Sequence, residues 1–297
     1  MIRFEYTEPQ TIEEAALLLS SEGLKNRIIA GGTDILVKIH DRVVAVDRLI
    51  SLAKIPGLCF IDSTEDQVRV GAMTRLAALE RSALVQQSLP VLYDGVKDLG
   101  SVQIRNVATV GGNICNAVPS ADTIPPLLAL GAEVSYWSSG QVKTRPLSEF
   151  FVGPGETLLG RGDILVDVRF KRPPLRASGY YLKLSRRKGM DIPLLGIAVQ
   201  VKVSGNGSFC EDIRIALGVA GPTPLRAERA EGLLRGERLT DELLRLAGEV
   251  ASQDAKPRDS FRCNAEYRRA MIKTLLPEVV KRALLRIGKT DEDNDPV

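Results

Sequence analysis

Two short glycine pairs constrain what this chain can fold into more than any other feature of the sequence. The first lies in residues 30–34 (Ala-Gly-Gly-Thr-Asp) and the second in residues 109–113 (Thr-Val-Gly-Gly-Asn), each after a strand-like run. Glycine lets a turn present successive backbone N–H groups without a Cβ in the way. Such a turn suits phosphate oxygens, so two of them suit a diphosphate. Each pair alone also fits a simple tight turn between strands, but together they favour a dinucleotide.

Length, charge and hydropathy exclude several classes of protein. The chain has 297 residues, enough for one large domain or two smaller ones, and is 44% hydrophobic. Its formal net charge of +3 gives no electrostatic argument for a nucleic-acid partner. The first residues lack the apolar core of a signal peptide, and no segment reaches the length of a bilayer span. We therefore expect a cytoplasmic protein without a membrane span.

The cysteines and the one histidine argue against a metal site on this chain. The four cysteines, Cys59, Cys115, Cys210 and Cys263, are scattered singly, and His40 is the one histidine. Iron–sulfur and zinc sites usually need clustered thiolates. A Ser-His or Cys-His couple would depend on His40 alone. We expect no metal ligands and no catalytic residues of the nucleophile or acid–base kind.

The first stretch of the chain, to about residue 55, has the pattern of a small β–α–β unit. Thr11 and Glu14 form a capping box that starts a helix, and Gly23 ends it. Strands are predicted at residues 28–30 and 43–47.

The second stretch, residues 56–172, contains alternating patterns typical of strands. Strands are predicted at residues 68–72, 133–137 and 163–170, and Thr74 is the predicted N-cap of a helix near residue 75. Two consecutive prolines at 173–174 mark a domain boundary.

The third stretch, residues 173–287, predicts a C-terminal α+β domain with a three-stranded sheet. The strands are predicted at residues 179–184, 196–203 and 213–219, and helical patterns follow. The last helix, from Asn264 to the mid-280s, is rich in Arg and Lys, which we interpret as a solvated face rather than a partner-binding surface. Residues 288–297 form an acidic tail that is predicted to be disordered.

The common dinucleotide motifs are absent from the sequence. No G-x-G-x-x-G follows a strand, and no G-x-x-x-x-G-K-[ST] occurs. A phosphate site on this chain therefore belongs to another fold than the Rossmann or P-loop type.

The motifs resemble the flavoprotein subunit of the xanthine dehydrogenase family. The two glycine pairs carry the resemblance, together with Pro119-x-x-Asp122 and the Leu-Leu-Ala-Leu helix that follows. Residues 181–187 (Tyr-Leu-Lys-Leu-Ser-Arg-Arg) and the segment 258–268 resemble parts of the family's C-terminal domain. The likeness covers nearly the whole chain. It is to the medium, FAD-carrying subunit of molybdenum hydroxylases such as carbon monoxide, nicotinate and xanthine dehydrogenases.

The resemblance implies a fold and a set of FAD-binding residues. The fold is α+β: a two-lobed FAD-binding module of the vanillyl-alcohol-oxidase (PCMH) type over residues 1–172, with lobes of about 1–55 and 56–172, followed by the small antiparallel sheet with helices. The residues expected to hold the diphosphate through backbone N–H groups are Ile28, Ile29, Ala30, Gly31, Gly32, Thr33, Asp34 and Ile35, with Thr109, Val110, Gly111, Gly112 and Asn113.

Five further residues receive roles from the resemblance. Asp122 is expected to bind a polar part of the FAD, and Ile164 or Leu165 to line the adenine or ring pocket. Lys183 matches a lysine near the isoalloxazine, where positive charge favours the anionic reduced flavin. Leu99 stands where xanthine-type relatives place an aromatic ring beside the flavin, so the chain departs from the pattern there.

The function implied is that of an electron carrier in a larger assembly. A large partner would hold molybdopterin and a small partner [2Fe–2S] clusters, while this chain would bind FAD non-covalently and pass electrons to an external acceptor such as NAD. Two alternatives stay open at this point. One is a free-standing FAD oxidoreductase of the same superfold, similar to UDP-N-acetylenolpyruvoylglucosamine reductase, and the other is a flavin-free assembly module.

Overall fold

The computed structural model describes residues 3–205, 207 and 209–292, which form two compact units built from alternating segments. Unit 1 comprises Met1–Leu79, Ser101–Ala117 and Glu133–Phe170, and unit 2 comprises Glu80–Gly100, Val118–Ala132 and Lys171–Val297. Each unit is built from three separate segments of the chain, whereas each predicted lobe is one continuous segment. The difference arises because a compact unit is defined by contacts, and these join segments that are distant in the sequence. The predicted domain limits themselves stay predictions.

The elements in chain order confirm the predicted α+β class. The strands are β1 (Glu5–Thr7), β2 (Asn26–Ile29), β3 (Arg48–Ser51), β4 (Ile61–Ser63), β5 (Gln67–Gly71), β6 (Glu133–Ser138), β7 (Gln141–Pro146), β8 (Phe151–Gly153), β9 (Glu156–Thr157), β10 (Ile164–Lys171), β11 (Ala177–Leu184), β12 (Leu195–Val203), β13 (Cys210–Gly218) and β14 (Leu225–Arg226). The helices are α1 (Ile12–Ser20), α2 (Ile35–His40), α3 (Leu76–Arg81), α4 (Ala83–Ser88), α5 (Pro90–Lys97), α6 (Val102–Val107), α7 (Val110–Asn116), α8 (Ile124–Ala129), α9 (Glu228–Leu234), α10 (Asp241–Asp254) and α11 (Ala265–Glu292), with a short 3₁₀ turn at Leu147–Glu149.

Unit 1 contains a parallel three-stranded sheet, ordered β1-β3-β2, and a five-stranded sheet, ordered β4-β5-β10-β6-β7. The predicted capping box starts α1, since Thr11 Oγ1 accepts the N–H of Glu14 at 3.1 Å. The Glu14 carboxylate in turn accepts the N–H of Gln10 at 2.9 Å, one residue before the N-cap. Ala15 of α1 packs with Ile50 of β3 in a buried apolar cluster.

Two local predictions in unit 1 were wrong. Residues 43–47 are not a strand, because the N–H groups of Val43 and Val44 both donate to Lys38 O and close the end of α2, so β3 begins only at Arg48. Thr74 does not cap α3, because its hydroxyl bonds the backbone N–H and C=O of Phe60 at 3.1 and 2.8 Å. A β-branched run and a lone threonine are both ambiguous when tertiary partners are unknown.

Unit 2 contains an antiparallel sheet ordered β11-β12-β13-β14, with α10 and α11 contributing to its apolar core. The three predicted strands are confirmed, and the short β14 adds a fourth by pairing with β13. Helix α11 continues to Glu292, so residues 288–292 of the predicted disordered tail are helical. The rest of that tail, 293–297, lies outside the described residues.

The basic side chains of α11 are largely neutralised within unit 2. Their ion-pair partners are carboxylates, in the pairs Lys273–Glu249, Lys281–Asp241, Arg282–Glu278 and Arg286–Asp94. The exposed pairs of Lys273, Lys281 and Arg282 agree with a solvated helix face. The expectation was wrong for Arg268, which is buried and donates to Leu194 O. Among the described residues, no helix combines the length and apolar character needed to cross a bilayer.

Candidate functional site

The first glycine loop, residues 30–34, joins β2 to α2 in unit 1, and its two glycines are needed for different reasons. A Cβ on Gly31 would lie 2.1 Å from Val107 O, so only glycine permits this approach of two backbones. Gly32 has φ +76°, a left-handed conformation that side chains rarely adopt. The sequence therefore fixes both the position and the turn of this loop.

The first glycine loop presents a run of unused backbone donors. The N–H groups of Gly31, Gly32, Thr33 and Asp34 donate no backbone hydrogen bond to any residue within 3–205, 207 or 209–292. The loop's carbonyl groups, by contrast, are used, since Gly32 O accepts the N–H of Leu36 at 3.1 Å. A run of N–H groups without acceptors is the arrangement that binds an anion such as a phosphate.

The second glycine loop, residues 109–113, differs from its prediction. It forms the first turn of α7, and the N–H groups of Val110, Gly111 and Gly112 donate to Thr74 O, Ala72 O and Thr109 Oγ1 at 3.0, 2.8 and 3.0 Å. The N–H of Asn113 donates to Thr109 O at 3.0 Å. These amides hold the loop in place, so the free donors are those of the first glycine loop.

A polar chain that sequence reasoning missed connects the two loops. Asn116, at the end of α7, donates through Nδ2 to Asp34 Oδ1 at 2.7 Å. Its Oδ1 accepts from Lys38 Nζ at 2.6 Å, so one amide joins a carboxylate and an ammonium of α2 and its loop. Lys38 could have been found as the first cation after the first glycine pair, whereas no sequence pattern singles out Asn116.

The apolar residues predicted for unit 1 are buried to different degrees. Ile164 and Leu165 open β10 and are 0% and 4% exposed. Ile28, Ile29 and Ile35 are half-buried beside the first glycine loop.

In unit 2 the structure brings Asp122 and Lys183 together. Asp122, which precedes α8, is buried, and its Oδ2 accepts from Lys183 Nζ of β11 at 2.8 Å. The same ammonium donates to Asp98 O, at the end of α5, at 3.0 Å. Burial raises the pKa of Asp122, while Lys183 and the Tyr181 hydroxyl oppose that rise. Leu99 follows Asp98 directly and is also buried.

Tyr181 lies in a motif of the family resemblance, but sequence reasoning assigned it no role of its own. Its hydroxyl donates to Asp122 Oδ1 at 2.8 Å, and its backbone N–H donates to Asp94 Oδ2 at 3.2 Å. Burial, with the neighbouring Asp122 carboxylate, raises the pKa of this phenol well above its usual value. The tyrosine thus connects two buried carboxylates.

The described part of the chain contains no set of side chains that could bind a metal ion. Across residues 3–205, 207 and 209–292, no three His, Cys, Asp or Glu side chains converge to hold an ion. His40 is exposed at the end of α2.

Comparison with protein-family models identifies the family of this chain. The model described as FAD binding domain in molybdopterin dehydrogenase matches residues 2–173. The chain belongs to this family of FAD-binding subunits. The CO dehydrogenase flavoprotein C-terminal domain matches residues 180–283.

Individual relatives match over nearly their full length. The xanthine dehydrogenase FAD-binding subunit of Escherichia coli O157:H7 is 33% identical, with 95% of this chain and 97% of that protein covered. The carbon monoxide dehydrogenase medium chain of Hydrogenophaga pseudoflava is 34% identical, with 95% and 96% covered. A solved structure of carbon monoxide dehydrogenase from the same organism matches with a TM-score of 0.92 and 33% identity, covering 96% of this chain and 98% of that one.

The predicted family, cofactor and enzyme class are therefore confirmed. The chain is an FAD-binding subunit of an oxidoreductase of the xanthine and carbon monoxide dehydrogenase type.

Proposed function

We propose that this subunit takes electrons from the [2Fe–2S] clusters of a small partner and delivers them to an external acceptor such as NAD. In this proposal the substrate is oxidised at a molybdopterin held by a large partner. Support comes from the relatives, which include a medium chain of carbon monoxide dehydrogenase and a solved Cu,Mo-CO dehydrogenase of 30% identity and TM-score 0.91. Flavin supplies the chemistry of such a junction, since it exchanges electrons singly or in pairs.

The observation that carries the FAD assignment to particular residues is the run of unused N–H groups in the first glycine loop. Gly31, Gly32, Thr33 and Asp34 would hold the diphosphate through these donors. Lys38 adds a positive charge on α2, the helix that follows this loop, and its ammonium donates to Asn116. The Asp34 carboxylate accepts a hydrogen bond from Asn116, which partly offsets its negative charge beside the proposed phosphate donors.

The second glycine loop has a supporting role in this proposal. Its amides are used by the chain, and Val107, which precedes it, lies against Gly31. It therefore helps to position the first glycine loop, through the contact between Val107 and Gly31.

Charge at the first glycine loop provides a direct test. Thr33 is half-buried, so Thr33→Glu adds a carboxylate among the proposed phosphate donors with little cost to packing. We expect FAD affinity to fall at least about a hundredfold, since like charges at close range in a partly desolvated site repel strongly. The matched control is Gln141→Glu, an exposed position of β7 with the same added charge. Equal FAD affinity in the two variants, measured by quenching of flavin fluorescence, would overturn the diphosphate assignment.

The electron-transfer step needs its own experiment. The FAD-loaded chain is mixed anaerobically with the reduced small partner, and the loss of flavin absorbance is followed by stopped flow. Rapid bleaching that requires the small partner supports the proposal. Reduction by NADH alone, with no change on adding either partner, would favour a free-standing flavoenzyme, and a chain that never binds FAD would favour an assembly module.

A further inference from the structure

We propose that Tyr181 is a positioning residue that sets the electrostatic effect of Lys183 on the bound flavin, acting through Asp122. This inference rests on the proposed function and on the family resemblance, which implies that Lys183 lies near the isoalloxazine of the bound FAD. Tyr181 itself needs no contact with the cofactor. Its hydroxyl orients the Asp122 carboxylate by a hydrogen bond and reduces the negative charge density on the carboxylate oxygens, which changes how strongly Asp122 interacts with Lys183.

The first step is the division of labour between the two oxygens of Asp122. Oδ1 accepts from the Tyr181 hydroxyl and Oδ2 accepts from Lys183 Nζ, both at 2.8 Å. The side chains of Lys183 and Asp122 are only 9% and 7% exposed, so water screens this pair weakly. A change at one carboxylate oxygen is therefore transmitted to the ammonium on the other.

The second step is that Tyr181 is held rigidly at both ends. Its N–H donates to Asp94, which is itself bound by Lys97 at 2.7 Å and by Arg286 at 2.7 Å. Above the ring, a Cβ at Gly196 would lie 2.7 Å from the phenol oxygen, so the strand β12 leaves room for this hydroxyl by having no side chain there. These contacts restrict the Tyr181 side chain to one position.

The third step concerns the donors of Lys183. An ammonium has three N–H donors, and the described residues supply acceptors for two of them, Asp122 Oδ2 and Asp98 O. The remaining donor suits an acceptor from a ligand such as the flavin ring. The direction of this donor is fixed by the other two bonds, one of which depends on Asp122.

The charges that face this cluster are known from each neighbouring element. Asp98 ends α5 and Asp122 precedes α8, while Asp94 of α5 accepts from the N–H of Tyr181 and from Arg286 of α11. Burial is the largest cause that raises the pKa values of both Asp122 and Tyr181, which agrees with a hydrogen bond between them that lies away from water.

The prediction has opposite signs for two changes at Tyr181. Tyr181→Phe removes the donor to Oδ1, so the carboxylate becomes more negative and offsets more of the lysine charge, and the midpoint potential of bound FAD should fall. Replacement of Tyr181 by 3-fluorotyrosine makes the phenol a stronger donor, so the potential should rise. Fluorotyrosine keeps the shape of the ring and remains informative if Tyr181→Phe fails to fold.

The experiment measures the midpoint potential and the FAD dissociation constant of the full FAD-loaded chain by spectroelectrochemistry and fluorescence titration. The matched control is Tyr180→Phe, the adjacent residue of β11, whose hydroxyl accepts from Arg282 at 2.7 Å. We expect Tyr181→Phe to shift the potential while changing FAD affinity less than about threefold, and Tyr180→Phe to shift neither. Lys183→Met should lower the potential further, and Tyr181→Phe should have no added effect in that background.

Three outcomes would overturn the inference: equal potentials for Tyr181→Phe and Tyr180→Phe, shifts of the same sign for phenylalanine and fluorotyrosine, or a full Tyr181→Phe effect in the Lys183→Met background. Failure of the proposed function has a different signature, because it would appear as flavin reduction that does not require the small partner, or as a chain that never binds FAD.

Discussion

Gly31 lies against the backbone of Val107 so closely that a Cβ at position 31 would be 2.1 Å from Val107 O and 2.6 Å from its carbonyl carbon. The neighbour is main chain, which cannot rotate away as a flexible side chain would. This glycine is therefore required by the fold of unit 1, independently of any ligand.

Gly31→Ala should consequently destabilise the protein. Forcing an extra methyl group into a packed site typically costs 1–3 kcal/mol, and a backbone clash should lie at about 3 kcal/mol. Chemical denaturation followed by circular dichroism measures this cost. Loss of bound flavin in this variant would reflect the displaced loop, which is why Thr33 is the better residue for testing diphosphate binding.

Gly232→Ala is the matched control for Gly31→Ala. Gly232 is exposed in α9, and a Cβ there meets nothing within 4 Å. Because alanine is the better helix former, this variant should gain about 0.5–1 kcal/mol of stability. Similar denaturation midpoints for the two variants would contradict the backbone-contact argument.

Asn116 offers a test of the polar chain between α2 and α7. Asn116→Ala removes the acceptor of Lys38 and the donor to Asp34, which frees the Asp34 carboxylate beside the proposed phosphate donors. We expect FAD affinity to fall about tenfold, equivalent to about 1.4 kcal/mol, as measured by fluorescence titration.

The control for Asn116→Ala is another amide that bonds within the chain. Gln86 Nε2 donates to Glu80 O at 2.8 Å on an exposed helix of unit 2. Gln86→Ala should leave FAD affinity unchanged. If both variants bind FAD as the native chain does, Asn116 has no part in the cofactor site.

The buried carboxylate of Asp94 should contribute strongly to stability. It accepts from Lys97, Arg286 and the N–H of Tyr181, and its side chain is 2% exposed. Asp94→Ala leaves these donors without their acceptor, and breaking such a pair costs about 3–5 kcal/mol. The comparison is Asp254→Ala, which breaks a pair with Arg229 that is 64% exposed on the arginine side and should cost less than about 1 kcal/mol. Comparable costs for the two variants in urea titrations would rule out the burial argument.

Much of the fold could be predicted from the sequence because its signals are local. The Thr11 capping box, the alternating strands that became β10 and β12, and the glycine that stops α8 depend on neighbouring residues only. The errors at residues 43–47 and at Thr74 arose because hydrogen-bond partners outside the local pattern decided the structure. These partners are Lys38 O for residues 43 and 44, and Phe60 O for Thr74. Local propensity carries no information about such partners.

The candidate site was predictable to the extent that it depends on glycine. Glycine marks close approaches and left-handed turns directly, so Gly31 and Gly32 are visible in the sequence. Which amides are already used by the chain depends on Ala72 and Thr74, brought in by β5, and no spacing rule shows this. The role of Tyr181 is equally hidden, since Asp94 lies in α5 and Asp122 in the turn before α8, far from Tyr181 in the sequence.

Cys210 gives a prediction about pH. The residue is buried in β13, and burial, with a smaller contribution from Asp212, raises the pKa of its thiol from an ordinary 9.0 to about 11, against a lowering by Arg235. The thiolate is the form that reacts with alkylating agents. At pH 8 its population at Cys210 should be about a hundredfold smaller than for an ordinary thiol, since each pKa unit is a factor of ten.

The raised pKa of Cys210 also makes the stability of the folded chain depend on pH. The folded chain holds the Cys210 proton more tightly than the unfolded chain, so this contribution is fully present below pH 9.0 and is lost as the pH rises towards about 11. The free energy of unfolding of the native chain, relative to Cys210→Ala, should decrease across that interval. Iodoacetamide labelling read by peptide mass spectrometry should modify the exposed Cys59 first, with the Cys210 rate rising tenfold per pH unit up to about 11. Labelling of Cys210 at pH 8 as fast as Cys59, in protein that remains folded, would show that β13 does not bury this thiol.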